Sequence, residues 1–274
     1  MHSLRGKTAI ITGASRGLGQ RVALRLAQHG ASVVLVARTE SALKETKELI
    51  APSDVRVEAV QADVANPESV ERAREAIHAA LGVPSILVNA AGVFGPIALI
   101  KDTDPAAWIE TIMVNTIGAY LTCRAFVGGM IQSGWGRIVN FTSAASLHVP
   151  GPANSAYATS KAALNQFTRH LASEIKGTGV TANVLHPGDV KTEMWRDIET
   201  KAQHLGAAGE AFSQWANWVR QTGGDDPEKA ADLVMELMSE EASTINGQFL
   251  WIKDGLQTPV ASWEMSADLR PWRR

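Results

Sequence analysis

The chain has 274 residues, 45% hydrophobic and 20% charged, with a formal net charge of -2. That composition supports a large globular core, and without a basic tail or Lys/Arg cluster it argues against nucleic acid or an anionic membrane as partner. One cysteine, Cys123, rules out an internal disulfide and a four-thiolate centre; the seven His form no His-x-x-x-His pair, and no stretch approaches the ~20 apolar residues of a membrane span, so neither a metal nor a membrane is expected.

Low cysteine use, and a start at Met1 that runs into a strand pattern without a signal-like apolar segment, give the expectation of a cytoplasmic protein.

The predicted elements begin with the apolar run Thr8–Thr12. Similar short, β-branched runs follow at Ser32–Ala37, Val55–Val60, Ile86–Val88, Arg137–Phe141, Thr181–Leu185 and Phe249–Ile252. Near-continuous apolar runs of this length suit strands buried on both faces. Helical spacing fills the gaps: Val22, Leu24, Leu26 and Ala27 after the first run, Leu43, Leu49 and Ile50 after the second, Val70, Ala73, Ile77 and Leu81 after the third. Such alternation predicts right-handed βαβ units in one α/β domain over residues 1–274, doubly wound in the Rossmann manner around a seven-stranded parallel sheet. Two segments stand apart from the pattern: 193–224, rich in Trp, Ala and Gln, and the tail 256–274, which carries Trp263 and Trp272.

The first strand–helix turn reads Thr12-Gly13-Ala14-Ser15-Arg16-Gly17-Leu18-Gly19. Glycines there let the backbone turn tightly against a pyrophosphate, and the following helix offers it free N–H groups and a positive dipole end. The second strand ends in Val36-Ala37-Arg38-Thr39, with no acid for a ribose 2′-hydroxyl. Arg38, aided by Arg16, instead suits the 2′-phosphate of NADP, so NADP is expected and NAD is the alternative; Glu40 lies close by and opposes the assignment. Asp63 and Val64 follow the third strand, and Asn89-Ala90-Ala91-Gly92 follows the fourth.

Asn115 interrupts an apolar helix predicted over Trp108–Phe126, Ser143 closes the fifth strand region, and Tyr157-Ala158-Thr159-Ser160-Lys161 begins the next helix. Residues at i and i+4 share a helix face, so the Tyr157 hydroxyl and Lys161 ammonium can approach one site. A free phenol has a pKa of about 10, and a nearby cation lowers it, so the pair can exchange a proton with a carbonyl or alcohol oxygen as hydride arrives or leaves. Pro187-Gly188 follows the sixth strand, with Val190 and Thr192 just beyond.

Taken in order, these motifs resemble the short-chain dehydrogenase/reductase family over about Lys7 to Gly255, with Ala90 where the family has a second Asn. The resemblance implies a catalytic set of Asn115, Ser143, Tyr157 and Lys161, with Asn115 holding a water that links Lys161 to solvent. It also implies dinucleotide contacts from Gly13, Ser15, Arg16, Gly17, Leu18 and Gly19, from Arg38, Asp63 and Val64, from Asn89, Ala90 and Gly92, from Tyr157 and Lys161, and from Pro187, Gly188, Val190 and Thr192. The expected activity is oxidoreduction between a ketone, a 3-oxoacyl thioester, a steroid-like ketone or a polyol and the nicotinamide cofactor. A dinucleotide-binding regulator is the non-enzyme alternative. A homo-oligomer, tetramer or dimer, is expected, and 193–224 is expected to form a substrate lid walled by Trp195, Trp215 and Trp218.

Overall fold

Parallel strands need a crossover that returns the chain to the same end of the sheet, and helices supply it here. The computed structural model describes residues 3–147 and 150–252. Strand β1 (Thr8–Thr12) leads into α1 (Gly17–Gln28), β2 (Ser32–Ala37) into α2 (Glu40–Ile50), and β3 (Val57–Gln61) into α3 (Pro67–Leu81). β4 (Ile86–Asn89) precedes α4 (Pro105–Ile112), a π-helical turn at Met113–Ile117, and α5 (Gly118–Gln132). β5 (Gly136–Phe141) precedes α6 (Ser155–Glu174). β6 (Val180–His186) precedes α7 (Glu193–Ala202), α8 (Glu210–Thr222) and α9 (Pro227–Leu237), ahead of β7 (Phe249–Trp251).

Among the described residues the strands form one seven-stranded sheet in the order β3-β2-β1-β4-β5-β6-β7, every pair parallel. Strand order reverses between β1 and β4. At such a switch point the loops diverge to opposite faces and leave a crevice beyond the carboxyl ends of the strands.

Alternation along each strand builds two cores. In β1, Ala9 and Ile11 face a layer that includes Val22, Leu26, Leu43, Leu233 and Leu237 from α1, α2 and α9. Ile10 faces the opposite layer, with Ile77, Phe126, Met130 and Leu171 from α3, α5 and α6. Each fully buried aliphatic side chain contributes about 2–3 kcal/mol of transfer free energy. The edge strand β3 is only half-buried and carries Glu58 and Gln61, as a sheet edge in water requires.

The expected helix at Trp108–Phe126 is longer and is broken by the π-turn, with Asn115 inside the turn. Segment 193–224 has no strand pattern because it is mostly helical: α7 and α8, joined by a 3-10 turn at Gly206–Gly209, pack on each other. The tail 256–274, with Trp263 and Trp272, lies outside the described residues.

Candidate active site

A cleft of about 760 Å3 opens at the switch point. One end is floored by the β1–α1 turn. Gly13 has φ +68, and a Cβ there would stand 2.8 Å from the Ala91 backbone. A Cβ on Gly19 would collide with the Gly13 carbonyl, so glycine at both positions lets this turn close against its neighbours. The Thr12 hydroxyl accepts from the Ala91 N–H at 3.2 Å and ties the turn to the loop after β4. No side chain caps the first turn of α1, and Gly17 and Leu18 line the cleft there. The tight glycine turn and the uncapped helix end beside the cleft favour an anion, so these residues fit the pyrophosphate of a dinucleotide.

Ser15, Arg16, Gly17, Leu18, Gly19, Arg38, Asp63, Val64, Ala90, Gly92, Tyr157, Lys161, Pro187 and Thr192 line the cleft together with Gly13. Asp63 Oδ1 accepts from the Ala65 N–H at 3.0 Å, which fixes its carboxylate at the end of β3. Ala90, in place of the second Asn, lines the cleft itself. Asn89, Gly188, Val190, Ser143 and Asn115 lie outside that lining. The Asn89 amide turns into the core, donating to Asn140 Oδ1 at 2.9 Å and accepting from the Thr122 hydroxyl at 2.8 Å. Val190 makes an isolated backbone bridge with Gly224, and the Asp189 N–H donates to Asp225 Oδ2 at 2.8 Å.

Both arginines expected to recognise a 2′-phosphate meet acids that the sequence pattern does not flag. Arg16 Nε is 3.8 Å from Glu193 Oε2, and Arg38 Nη1 is 4.0 Å from Glu110 Oε1. Glu40, the acid closest in sequence, turns instead to Lys44 at 2.8 Å, and that hydrogen bond holds its carboxyl below the ordinary range.

At the other end the expected catalytic residues converge. The Ser143 hydroxyl oxygen accepts from the Ala145 N–H at 3.2 Å and hydrogen-bonds the Tyr157 phenol, while Ser146 and Thr142 are engaged by Asn165. Lys161 is 4% exposed; its ammonium donates to the Phe141 carbonyl at 2.7 Å and lies 5.7 Å from the centre of the Tyr157 ring. Asn115 accepts from the Val93 N–H at 2.9 Å and donates to the Val93 carbonyl at 2.8 Å and the Ser160 hydroxyl at 3.0 Å. It thereby clamps the loop after β4 to α6. A Cβ on Gly92 would lie 3.3 Å from Asn115 Oδ1 and 3.7 Å from Lys161 Nζ, so the two polar groups flank Gly92.

The electrostatics differ from the expectation in one respect. Burial pushes the Tyr157 phenol up to about 12, with the Asp189 charge adding to the rise and the Ser143 hydrogen bond opposing it. Desolvation therefore outweighs the Ser143 hydrogen bond, and Tyr157 holds its proton at neutral pH. Burial also lowers Lys161 to about 8.

The segment after Thr192 reaches the cleft differently from the tryptophan wall expected. α7 turns Met194, Asp197, Ile198 and Lys201 inward, an i, i+3, i+4, i+7 face legible as helical spacing. Trp195 is buried on another side of α7 beneath Lys191, Trp215 packs in the cluster around Ile97 and Ile198, and Trp218 is exposed. The sequence reading also missed Phe94, whose ring stacks on Tyr157 with centroids 4.5 Å apart; its place two residues after the Asn89–Gly92 motif is the only local signal.

Comparison with known proteins agrees with this geometry. The sequence pattern of the short chain dehydrogenase family matches residues 7–203. The 3-oxoacyl-[acyl-carrier-protein] reductase FabG of Pseudomonas aeruginosa is 36% identical over 197 residues, 72% of this chain and 78% of that protein. Among solved structures, NAD+-bound xylitol dehydrogenase superposes with a TM-score of 0.83 at 26% identity, covering 91% of this chain and 98% of that one. A single-residue variant of actinorhodin polyketide ketoreductase with NADPH gives 0.83 at 27% identity, covering 92% and 97%.

Proposed function

The chain belongs to the short-chain dehydrogenase/reductase family and carries out NAD(P)-dependent oxidoreduction between carbonyl and alcohol; we propose that it works as an NADPH-dependent reductase of ketones or 3-oxoacyl compounds. The observation that carries this reading is the convergence at one end of the cleft of the Tyr157 phenol, hydrogen-bonded to Ser143, and the buried Lys161 ammonium held on the Phe141 carbonyl. A nicotinamide dinucleotide held by the Gly13–Gly19 turn and the cleft wall would supply the hydride. Tyr157 gives its proton to the carbonyl oxygen. The Ser143 oxygen accepts from Ala145, which orients its hydroxyl to donate to the same oxygen as charge develops. Lys161, itself held by the Phe141 carbonyl, stabilises the phenolate left behind by its charge. Asn115 holds the Val93 loop against α6, and the water-holding role implied by the family would use the polar pocket at Gly92.

The preference for NADP rests on Arg38 and Arg16. Their ion pairs at 4.0 and 3.8 Å are long and exposed, hence weak, so a 2′-phosphate with two charge-assisted bonds outcompetes the carboxylates. Asn89, Gly188 and Val190 belong to this assignment as supports of the cofactor loops rather than as lining. The relatives' names span both cofactors, which leaves the arginines to carry the choice.

Residues 1–274 would act as one domain in which α7 and α8 cover the substrate end. A homo-oligomer, tetramer or dimer, is supported by Ile109 and Tyr120, 56% and 42% exposed on α4 and α5, apolar surface of the kind subunits cover. A cytoplasmic setting fits the buried free thiol of Cys123. The proposal is tested by following NADPH and NADH oxidation against a panel of ketones, 3-oxoacyl thioesters and aldehydes. Turnover with NADPH well above NADH is the expected result; faster polyol oxidation with NAD would replace it with the dehydrogenase reading.

A further inference from the structure

The cofactor and proton-transfer groups leave one part of the cleft wall without a role. Phe94 lines the cleft and is half-buried. One face of its ring stacks on Tyr157, with planes 26° apart, and Phe212 of α8 meets it edge-on, with centroids 5.9 Å apart and planes at 90°. Two aromatic contacts therefore hold this ring in one orientation beside the proton donor. The same wall continues through Ile97 and Ile198, 8% and 3% exposed, and Met194. The charged residues on α7 that reach the cleft, Glu193, Asp197 and Lys201, are exposed; Glu193 faces Arg16 at 3.8 Å, and the Lys201 ammonium is turned to the Gly95 carbonyl at 3.5 Å.

We infer that Phe94 determines substrate choice, and that the site takes uncharged carbonyl compounds whose carbonyl carries an aromatic or flat conjugated group. A ring held in place offers a fixed quadrupole to a second ring at little entropic cost, and a thioether such as Met194 favours aromatic edges. Aliphatic groups of the same size gain the apolar wall but not the ring contact. This inference rests on the carbonyl-reductase reading above.

The test compares kcat/KM for acetophenone and for cyclohexyl methyl ketone, which share the acetyl group and nearly share size. The aryl-to-cyclohexyl ratio is measured for the wild type, Phe94→Leu and Phe94→Tyr, each pair of substrates on one preparation. Intrinsic reactivity cancels between proteins, and any loss of folded enzyme cancels within each. The expected result is a ratio that falls roughly three- to tenfold in Phe94→Leu, the size an aromatic pair adds beyond burial, and is kept in Phe94→Tyr. A ratio unchanged in Phe94→Leu, or lost equally in Phe94→Tyr, overturns the assignment to Phe94. Wild-type enzyme that oxidises neither dinucleotide with any carbonyl sinks the reductase reading itself, and this inference with it.

Discussion

Lys161 is a charge held where burial disfavours it, so removing it should make the protein more stable and less active at once. The side chain is 4% exposed and burial lowers it from 10.5 to about 8. At ~1.4 kcal/mol per pKa unit, holding the ammonium there costs roughly 3 kcal/mol at neutral pH. Lys161→Met removes that cost but leaves the Phe141 carbonyl without its 2.7 Å donor, a loss of ~1–3 kcal/mol. A net gain of about 1 kcal/mol is expected near pH 7, measured by urea unfolding, with catalysis lost. Between about pH 8 and 10.5 the unfolded chain binds a proton that the folded chain lacks, so wild-type stability rises with pH in that window relative to the variant. Moving from about pH 7 to about pH 9.5 should therefore erode the variant's advantage by about 2 kcal/mol and reverse its sign. Tyr157, raised from 10 to about 12, is present in both proteins and titrates above this range. A stability difference that stays flat across those two pH values would refute the account of Lys161 as a desolvated cation.

Other expectations follow from the same geometry. Tyr157→Phe should lower kcat at least ~100-fold, the usual contribution of a positioned acid, while titration by fluorescence finds NADPH affinity within about twofold of wild type. Arg38→Ala should weaken NADPH by roughly tenfold and leave NADH nearly unchanged, with dissociation constants compared at one ionic strength; equal losses for both dinucleotides would take the 2′-phosphate away from Arg38. Met194→Ala should cut kcat/KM for bulky apolar ketones more than for small ones if α7 covers the substrate, whereas a uniform loss across sizes would make α7 merely structural. Sedimentation at micromolar concentration should find a species at least twice the 29.3 kDa chain mass, and a monomer would leave Ile109 and Tyr120 unexplained.

Much of this protein is written locally. The short apolar runs determined strands because both faces of a parallel sheet are buried, and the helical spacing between them determined the crossovers, so fold class and strand count followed from pattern alone. Sites tied to strand ends were equally legible: Gly13 and Gly19 need glycine for backbone reasons, and Tyr157 and Lys161 share a helix face by spacing. What sequence could not decide depends on approach between distant segments. The motif just before Phe94 places it near the cleft but not against the Tyr157 ring, and nothing near Arg16 announces Glu193, 177 positions away in the chain. The tryptophans of 193–224 looked like a wall because they are large and apolar, yet a helix has one face toward the cleft, and there it carries Met194 and Ile198. The upward shift of Tyr157 was likewise a tertiary matter: spacing to a lysine is a local fact, but desolvation depends on everything packed around the phenol, and here it is the largest cause.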